Sequence, residues 1–402
     1  MPEVAITGLG PVAPNGVGRC AYWEALANGK SGIRRISING HSDYIVGQVP
    51  DQWVKSAETT TPDPHISRCA RLILLAATMA LNDAGIGREE FSTSRSGIKI
   101  GVSTIDMEAG EVEYESFKNS GTIRSSVLAA TIPHAAASQM ARELQCYGEV
   151  LTFSVACSSG LVSIISAAES ILAGEADVVL AGGGDAPLTP FLISCFRAAG
   201  LYPDNLSCEP SDACRPFDAR REGGILSEGA GVVVLENVER ARRRGARIYA
   251  TISGWGIANA TSSLSLRTSF ASAMASTLHN ASLQPCGVDY ICAHAPGDRI
   301  VDRSEIRAIK EAFGDFAYNL PVSSIKSMIG NPLAAAGALQ VIAAVQAIQA
   351  KFIPPTINYR EPDPQCDLDC VPNKGRVARV DSVLINSAGI GGCTASLAIS
   401  RP

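Results

Sequence analysis

Hydrophobic residues in this chain fall into short continuous runs rather than alternating with polar ones: Val4-Ala5-Ile6, Ile98-Lys99-Ile100-Gly101-Val102 and Val178-Val179-Leu180-Ala181. Runs of this kind predict strands covered on both faces, as in a sheet packed between helices. Between them the period becomes helical. Leu72, Leu75, Ala76, Met79, Ala80 and Ala84 share one face of a helix that starts at Arg68 and stops at Gly85, and a shorter helix is expected around Ala21 to Leu26. Residues 106–130 keep neither period and are polar and glycine-containing, which predicts a long excursion over the surface or into a subunit contact.

The second half restarts the first. Ile252-Ser253-Gly254-Trp255-Gly256 echoes Ile6-Thr7-Gly8-Leu9-Gly10, and Tyr290 to His294 takes the place of Ile98 to Ser103. Gly148 to Val155 predicts a buried strand that turns at Cys157 into a helix over Leu161 to Leu172. Ser323 to Asn331 turns the same way into a helix from Leu333 to Ala350. A duplication with matching strand-to-helix turns brings the two turns to one centre. Gly8-x-Gly10 lacks the third glycine of a dinucleotide fingerprint and is set aside.

Val155-Ala156-Cys157-Ser158-Ser159-Gly160 is the stretch with candidate chemistry. A cysteine at a strand-to-helix turn is placed as a nucleophile. The small residues around it admit a substrate, and amides at a helix N-terminus lower a thiol's pKa and stabilise an oxyanion. A buried structural cysteine explains the turn equally well, and the turn alone leaves both readings open.

Composition narrows the class. The chain has 402 residues, 46% of them apolar, and a net charge of −5, enough for one large or two interlocked domains. Twelve cysteines without repeating spacing indicate reduced thiols, and Cys366-x-x-x-Cys370 has no second pair to make a metal site. No basic stripe with interleaved aromatics points to nucleic acid, and no run of about 18 apolar residues points to a membrane. A cytoplasmic location is expected, because Met1-Pro2-Glu3-Val4 enters a strand with no basic leader. Arg240, Arg242, Arg243, Arg244 and Arg247 crowd one helix end, either as a solvated face complementing the helix dipole or as a dock for an acidic partner. The charged, glycine-rich loops Arg220 to Gly224 and Ser227 to Gly231 predict service to a site or an interface.

Taken together, an ordered set of motifs resembles one family. These are Ile6 to Gly10, Ala156-Cys157-Ser158-Ser159-Gly160, Arg215-Pro216-Phe217-Asp218, Glu228-Gly229-Ala230-Gly231, His294 with Asp302 and Glu305, Lys326-Ser327-Met328, Ala334-Ala335-Ala336-Gly337, Pro354 to Asn358 and Cys366 to Asn373. The chain resembles the elongating β-ketoacyl-acyl-carrier-protein synthases, polyketide ketosynthases included, nearly end to end. The resemblance implies a thiolase-like α/β fold of two pseudo-duplicated halves in α/β/α/β/α layers, residues 1–247 carrying the cysteine and 248–402 the histidine. It also implies a homodimer or a heterodimer with a related ketosynthase, and no bound cofactor. The substrate implied is the phosphopantetheine thioester of an acyl carrier protein, whose acyl group passes to Cys157. His294 and Lys326 match family catalytic positions.

The departures from the family are specific. Asn331 stands where the second histidine is usual; its amide can donate to an enolate oxygen but cannot transfer a proton. Ala295-Pro296-Gly297-Asp298 replaces the hydroxyl-bearing run that holds the pantetheine arm, so Pro296 offers no donor and Asp298 brings an anion there. Gln340 replaces the usual glutamate partner of Lys326, so the lysine is expected to find another counter-ion or stay wetter. An Asp and a His usual near Ala260 to Ser263 are absent. Ala388, Gly389, Ile390 and Gly391 keep the glycine loop but not its aromatic gate, so a wider mouth is expected, with the amides of Cys157 and Ile390 as an oxyanion hole. Arg68 and Arg243 are the candidates for carrier docking. The resemblance implies a condensing enzyme, with two alternatives: an acyltransferase without decarboxylative condensation, and a non-catalytic chain-length-factor-like partner of another ketosynthase.

Overall fold

The computed structural model describes residues 3–38, 41–55, 66–93, 95–104, 106–204 and 207–402. Ten strands matter for the site: β1 (Val4–Ala13), β2 (Ser96–Gly101), β3 (Val150–Phe153), β4 (Val178–Asp185), β5 (Gly229–Asn237), β6 (Ala250–Asn259), β7 (Tyr290–Cys292), β8 (Val322–Ser323), β9 (Ser382–Ala388) and β10 (Cys393–Ser400). They lie side by side in the order 3-2-4-5-1-6-10-9-7-8. Adding five to each label of the first half reproduces the second half in mirror order, so the duplication read from the sequence is a duplication of topology. Strand senses repeat too. β2 is parallel to β3 and β4, and β7 to β8 and β9, while the remaining neighbours pair antiparallel.

The helices fall into layers around these strands. They are α1 (Arg19–Ala27), α2 (Arg68–Ala84), α3 (Met107–Ser120), α4 (Ser126–Thr131), α5 (Ala135–Leu144), α6 (Ser159–Leu172), α7 (Pro190–Ala198), α8 (Val238–Arg243), α9 (Leu266–Asn280), α10 (Arg299–Phe313) and α11 (Ala335–Ala350). α2 and α5 cover the outer face of the first half, α9 and α10 that of the second, and α6 with α11 packs between the two. This is the α/β/α/β/α arrangement of a thiolase-like fold. β1 and β6 join the halves at only three positions, Val4 to Ile6 against Ala250 to Ile252.

The central pair explains why α11 shows no amphipathic stripe. Fourteen of its sixteen residues, from Ala335 to Ile348, are buried, as a helix packed on all sides requires. Its contact with α6 depends on glycine: a Cβ on Gly160 would fall well inside contact with the Ala334 carbonyl oxygen, and one on Gly337 would meet Leu161. α2 forms as expected, with Ser67 accepting from the Ala70 amide at its start and Gly85 left-handed at its end.

Two expectations are corrected. The stretch over 106–130 is helical, as α3 and α4, rather than an irregular excursion. Its period was hidden because α3 buries only Glu113, while Val112, Tyr114 and Phe117 are exposed. The strand before Cys157 is four residues long and half-exposed, not buried, because β3 is the end strand of the sheet. Leu128 on α4, Ile132 just after it and Leu151 on β3 are likewise exposed.

Candidate active site

Cys157 follows Ala156, whose φ of 53° places it in the left-handed region and forces the chain from β3 into α6 through a sharp turn. The turn is pinned from both sides. Ser159 Oγ accepts from the Val155 amide at 2.9 Å and donates to the Ala156 carbonyl at 2.6 Å. Ser158 Oγ donates to the Cys393 carbonyl at 2.9 Å, and Ser387 Oγ donates to the carbonyl of Cys157 at 3.1 Å. The second half of the fold thereby holds the first half's cysteine in place.

The thiol is buried, and its pKa lies above the ordinary value, contrary to the lowering expected from a helix N-terminus. Burial is the largest cause and penalises the thiolate. Lys326 and the Asn331 amide pull the other way, while the Asp185 carboxylate adds to the rise.

His294 lies just beyond β7, with its backbone fixed by Glu305. Glu305 Oε1 accepts from the His294 amide at 2.9 Å, and Oε2 accepts from the Ala295 amide at 2.8 Å. Lys326 Nζ donates to the His294 carbonyl and to His294 Nδ1 at 3.2 Å. Burial first, and then the Lys326 charge, hold the imidazole's pKa well below its ordinary value. The ring is therefore neutral, and with Nδ1 acting as acceptor its proton sits on Nε2.

Lys326 is fully buried, which excludes the wetter lysine of the two outcomes expected and leaves the other counter-ion. Burial, the largest cause, lowers its pKa; the negative charges of Glu305 and of the Cys157 and Cys292 thiolates pull the other way. Gln340 cannot supply a charge, and its Nε2 instead lies within donor distance of the carbonyls of Cys292, Ala293 and Asn386.

Asn331 brings its side chain to the thiol, with Nδ2 donating to Cys157 Sγ at 3.9 Å. The Asn331 backbone N–H donates to the Ile225 carbonyl at 2.7 Å, and the buried side-chain Oδ1 has no partner among the described residues. Asp185 anchors this loop. It accepts from the Ala334 amide at 2.8 Å and from the backbone and hydroxyls of Ser103 and Thr104, so the ends of β2 and β4 grip the segment that carries Asn331. The sequence reading missed Asp185, although a carboxylate closing an apolar strand was a usable signal.

Cys157, His294 and Asn331 line one cavity of about 400 Å³, a size that suits a small-molecule arm. Gly389, Ile390 and Gly391 line it, with Ile390 58% exposed where an aromatic residue is usual. The loop packs directly on the cysteine turn, since a Cβ on Gly389 would strike the Val155 carbonyl. Pro296 and Asp298 also line the cavity. Asp298 has a structural duty as well, because its Oδ1 accepts from the Ile300 and Val301 amides at 2.8 Å and caps α10.

The two docking candidates are placed differently from the expectation. Arg68 pairs with buried Glu228 at 2.6 Å and with Asp51 at 2.8 Å, so its guanidinium is committed within the fold. Arg243 is exposed on α8, which follows the far end of β5. Gly229, at the near end of that strand, pairs with Asp185, so roughly 27 Å of strand separates Arg243 from the site.

The N-terminal domain model of β-ketoacyl synthases matches residues 1–241, and the corresponding C-terminal domain model matches residues 249–360. The tetracenomycin polyketide synthase ketoacyl synthase alpha subunit of Streptomyces glaucescens is 36% identical over 100% of this chain and 97% of its own. The ishigamide ketosynthase/chain length factor superposes with a TM-score of 0.92 at 30% identity, covering 100% of this chain and 99% of that one. A type II polyketide acyl-carrier protein in complex with its ketosynthase bound to the hexaketide gives a chain that superposes with a TM-score of 0.91 at 31% identity, with 100% and 99% covered. With the duplicated sheet, the pinned cysteine turn and the lysine-held histidine facing one cavity, these matches establish that the chain belongs to the β-ketoacyl synthase family.

Proposed function

We propose that this protein is a condensing enzyme of type II polyketide or fatty-acid biosynthesis, working with a Cys157-His294-Asn331 set. Residues 1–247 supply the thiol, and 248–402 supply the imidazole and the amide. In the first half-reaction Cys157 Sγ attacks the carbonyl carbon of an acyl thioester on an acyl carrier protein. The new carbon–sulfur bond forms, the bond to the pantetheine sulfur breaks, and the thiol proton leaves with the arm. The amides of Cys157 and Ile390 receive the transient oxyanion.

The second half-reaction distinguishes condensation from plain transfer. Of the catalytic side chains that line the cavity, His294 has its acceptor nitrogen occupied by Lys326, so it and Asn331 both present donors, Nε2–H and the side-chain amide. Two donors on this pair suit a reaction that needs no proton abstraction by it. Loss of carbon dioxide from a malonyl thioester leaves its electron pair as an enolate, whose oxygen accepts both hydrogen bonds. The enolate carbon then attacks the acyl carbon, and the Cys157 sulfur departs as a thiolate within the field of Lys326. Acyl transfer to a hydroxyl or an amine would need a base, which neither His294 with its Nδ1 occupied nor Asn331 provides. The observation that carries the proposal is the Lys326 bond to Nδ1, which makes His294 a donor.

The partners follow from the same reading: a carrier protein at the cavity mouth, and a second thiolase-fold subunit, identical or related. Cytoplasmic location is part of the proposal. A chain-length-factor-like role would account for Pro296 and Asn331 but leaves the buried Cys157-His294-Lys326 arrangement without a purpose. Intact mass after incubation with acyl-carrier thioesters tests the capture step. An acyl adduct on the wild type that is absent in Cys157→Ala supports the proposal; no adduct on either protein refutes it.

A further inference from the structure

The cavity's walls are largely apolar, with Phe196, Leu201, Leu226, Leu266 and Val301 among them, and the segment after His294 contributes Pro296 where hydroxyls would hold an arm. A pantetheine arm carries two amides, and leaving these unpaired in such a channel is costly. On the cavity wall stands a turn that carries hydroxyls, Thr261-Ser262-Ser263. Its shape is set internally: Ser265 Oγ accepts from the amides of Thr261 at 2.9 Å and Ser262 at 3.0 Å. The side-chain hydroxyls of Thr261 and Ser263 take no part in that lock and have no partner among the described residues. The turn is also joined to the glycine loop, the Ala260 amide donating to the Gly392 carbonyl at 2.8 Å.

We infer that Thr261 and Ser263 form the binding site for the amides of the donor's pantetheine arm, replacing the hydroxyls missing after His294. The inference rests on the thioester-capture reading above and names the side chains that recognise the donor. An arm held on this turn runs beside Gly392 and delivers its thioester carbonyl to the Ile390 amide and the Cys157 sulfur. Both hydroxyls are exposed and neither supports the backbone, so removing them leaves the Ser262–Ser265 lock intact.

The test compares acylation of Cys157 by acetyl, butyryl and octanoyl thioesters of pantetheine with acylation by the corresponding thioesters of ethanethiol, which have no amides. Thr261→Val/Ser263→Ala is expected to lose about ten- to thirty-fold in the pantetheine series, the value of two neutral hydrogen bonds, and nothing in the ethanethiol series. Thr261→Ser/Ser263→Thr, which keeps both hydroxyls, is expected to keep the wild-type rate. Equal rates in the two proteins, or an equal loss with both thioester series, would overturn the inference while leaving the capture reading in place. A wild type acylated by neither series would overturn that reading and the inference with it.

Discussion

Lys326 Nζ lies 3.2 Å from His294 Nδ1 as a donor, and this contact decides which ring nitrogen the substrate meets. The lysine's charge also acts on the cysteine, favouring the thiolate against burial, and it adds to burial in keeping the imidazole neutral. Lys326→Met should therefore act on both residues. Alkylation of Cys157 by iodoacetamide at pH 8 is expected to slow several-fold, since the thiol's pKa rises further, and malonyl decarboxylation is expected to fall by about 10²-fold. Unchanged alkylation would show that the lysine's charge does not reach the sulfur.

The neutral imidazole has a signature in stability against pH. Unfolded, His294 takes up a proton near pH 6.5; folded, its pKa is well below that, so the unfolded state binds more protons as pH falls beneath about 6.5. Stability is lost on that acid side, by up to about 1.4 kcal/mol per pH unit from this group. Asp302 acts in the opposite sense. Burial raises its pKa to about 7, so its contribution is present at low pH and is lost as pH rises from about 4 through 7. The measurement is accordingly a difference: denaturant unfolding of wild type minus His294→Gln should show the acid-side loss, and parallel curves would contradict it.

Arg68 is predicted to matter for folding rather than for docking. Arg68→Leu leaves the carboxylate of Glu228, which is 1% exposed, without its cation, at a cost of about 3 kcal/mol in chemical denaturation. Arg243→Ala should shift stability by less than about 0.5 kcal/mol and leave the KM for carrier thioesters unchanged. A raised KM in the Arg243 variant would place the carrier on the far end of β5.

Gly160→Ala is expected to cost about 3 kcal/mol or more, because the added methyl enters the Ala334 carbonyl between α6 and α11 and neither backbone can move freely. Gly174→Ala is the comparison: no atom lies within 4 Å of its Cβ position, so its cost, at a φ of 73°, is backbone strain alone.

The duplicated fold was largely legible because β1, β2 and β4 are fully buried runs containing glycine, a pattern set by local chemistry, and their second-half counterparts follow in the same order. The cysteine turn was legible for the same reason. α3 was not, since its apolar residues face away from the core and burial gives no stripe to read. The raised thiol pKa was hidden as well: it depends on total burial and on Asp185, which approaches Cys157 only through the tertiary fold. Arg68 looked like a surface cation until its partner Glu228, 160 positions away, was placed beside it.

Carbon dioxide release from a malonyl carrier thioester by enzyme already acylated on Cys157 tests the central claim most directly, comparing wild type with Asn331→Ala. The donor role of the asparagine predicts that release falls about 10²- to 10³-fold in the variant while formation of the acyl adduct is preserved. Equal release from the two proteins would contradict it.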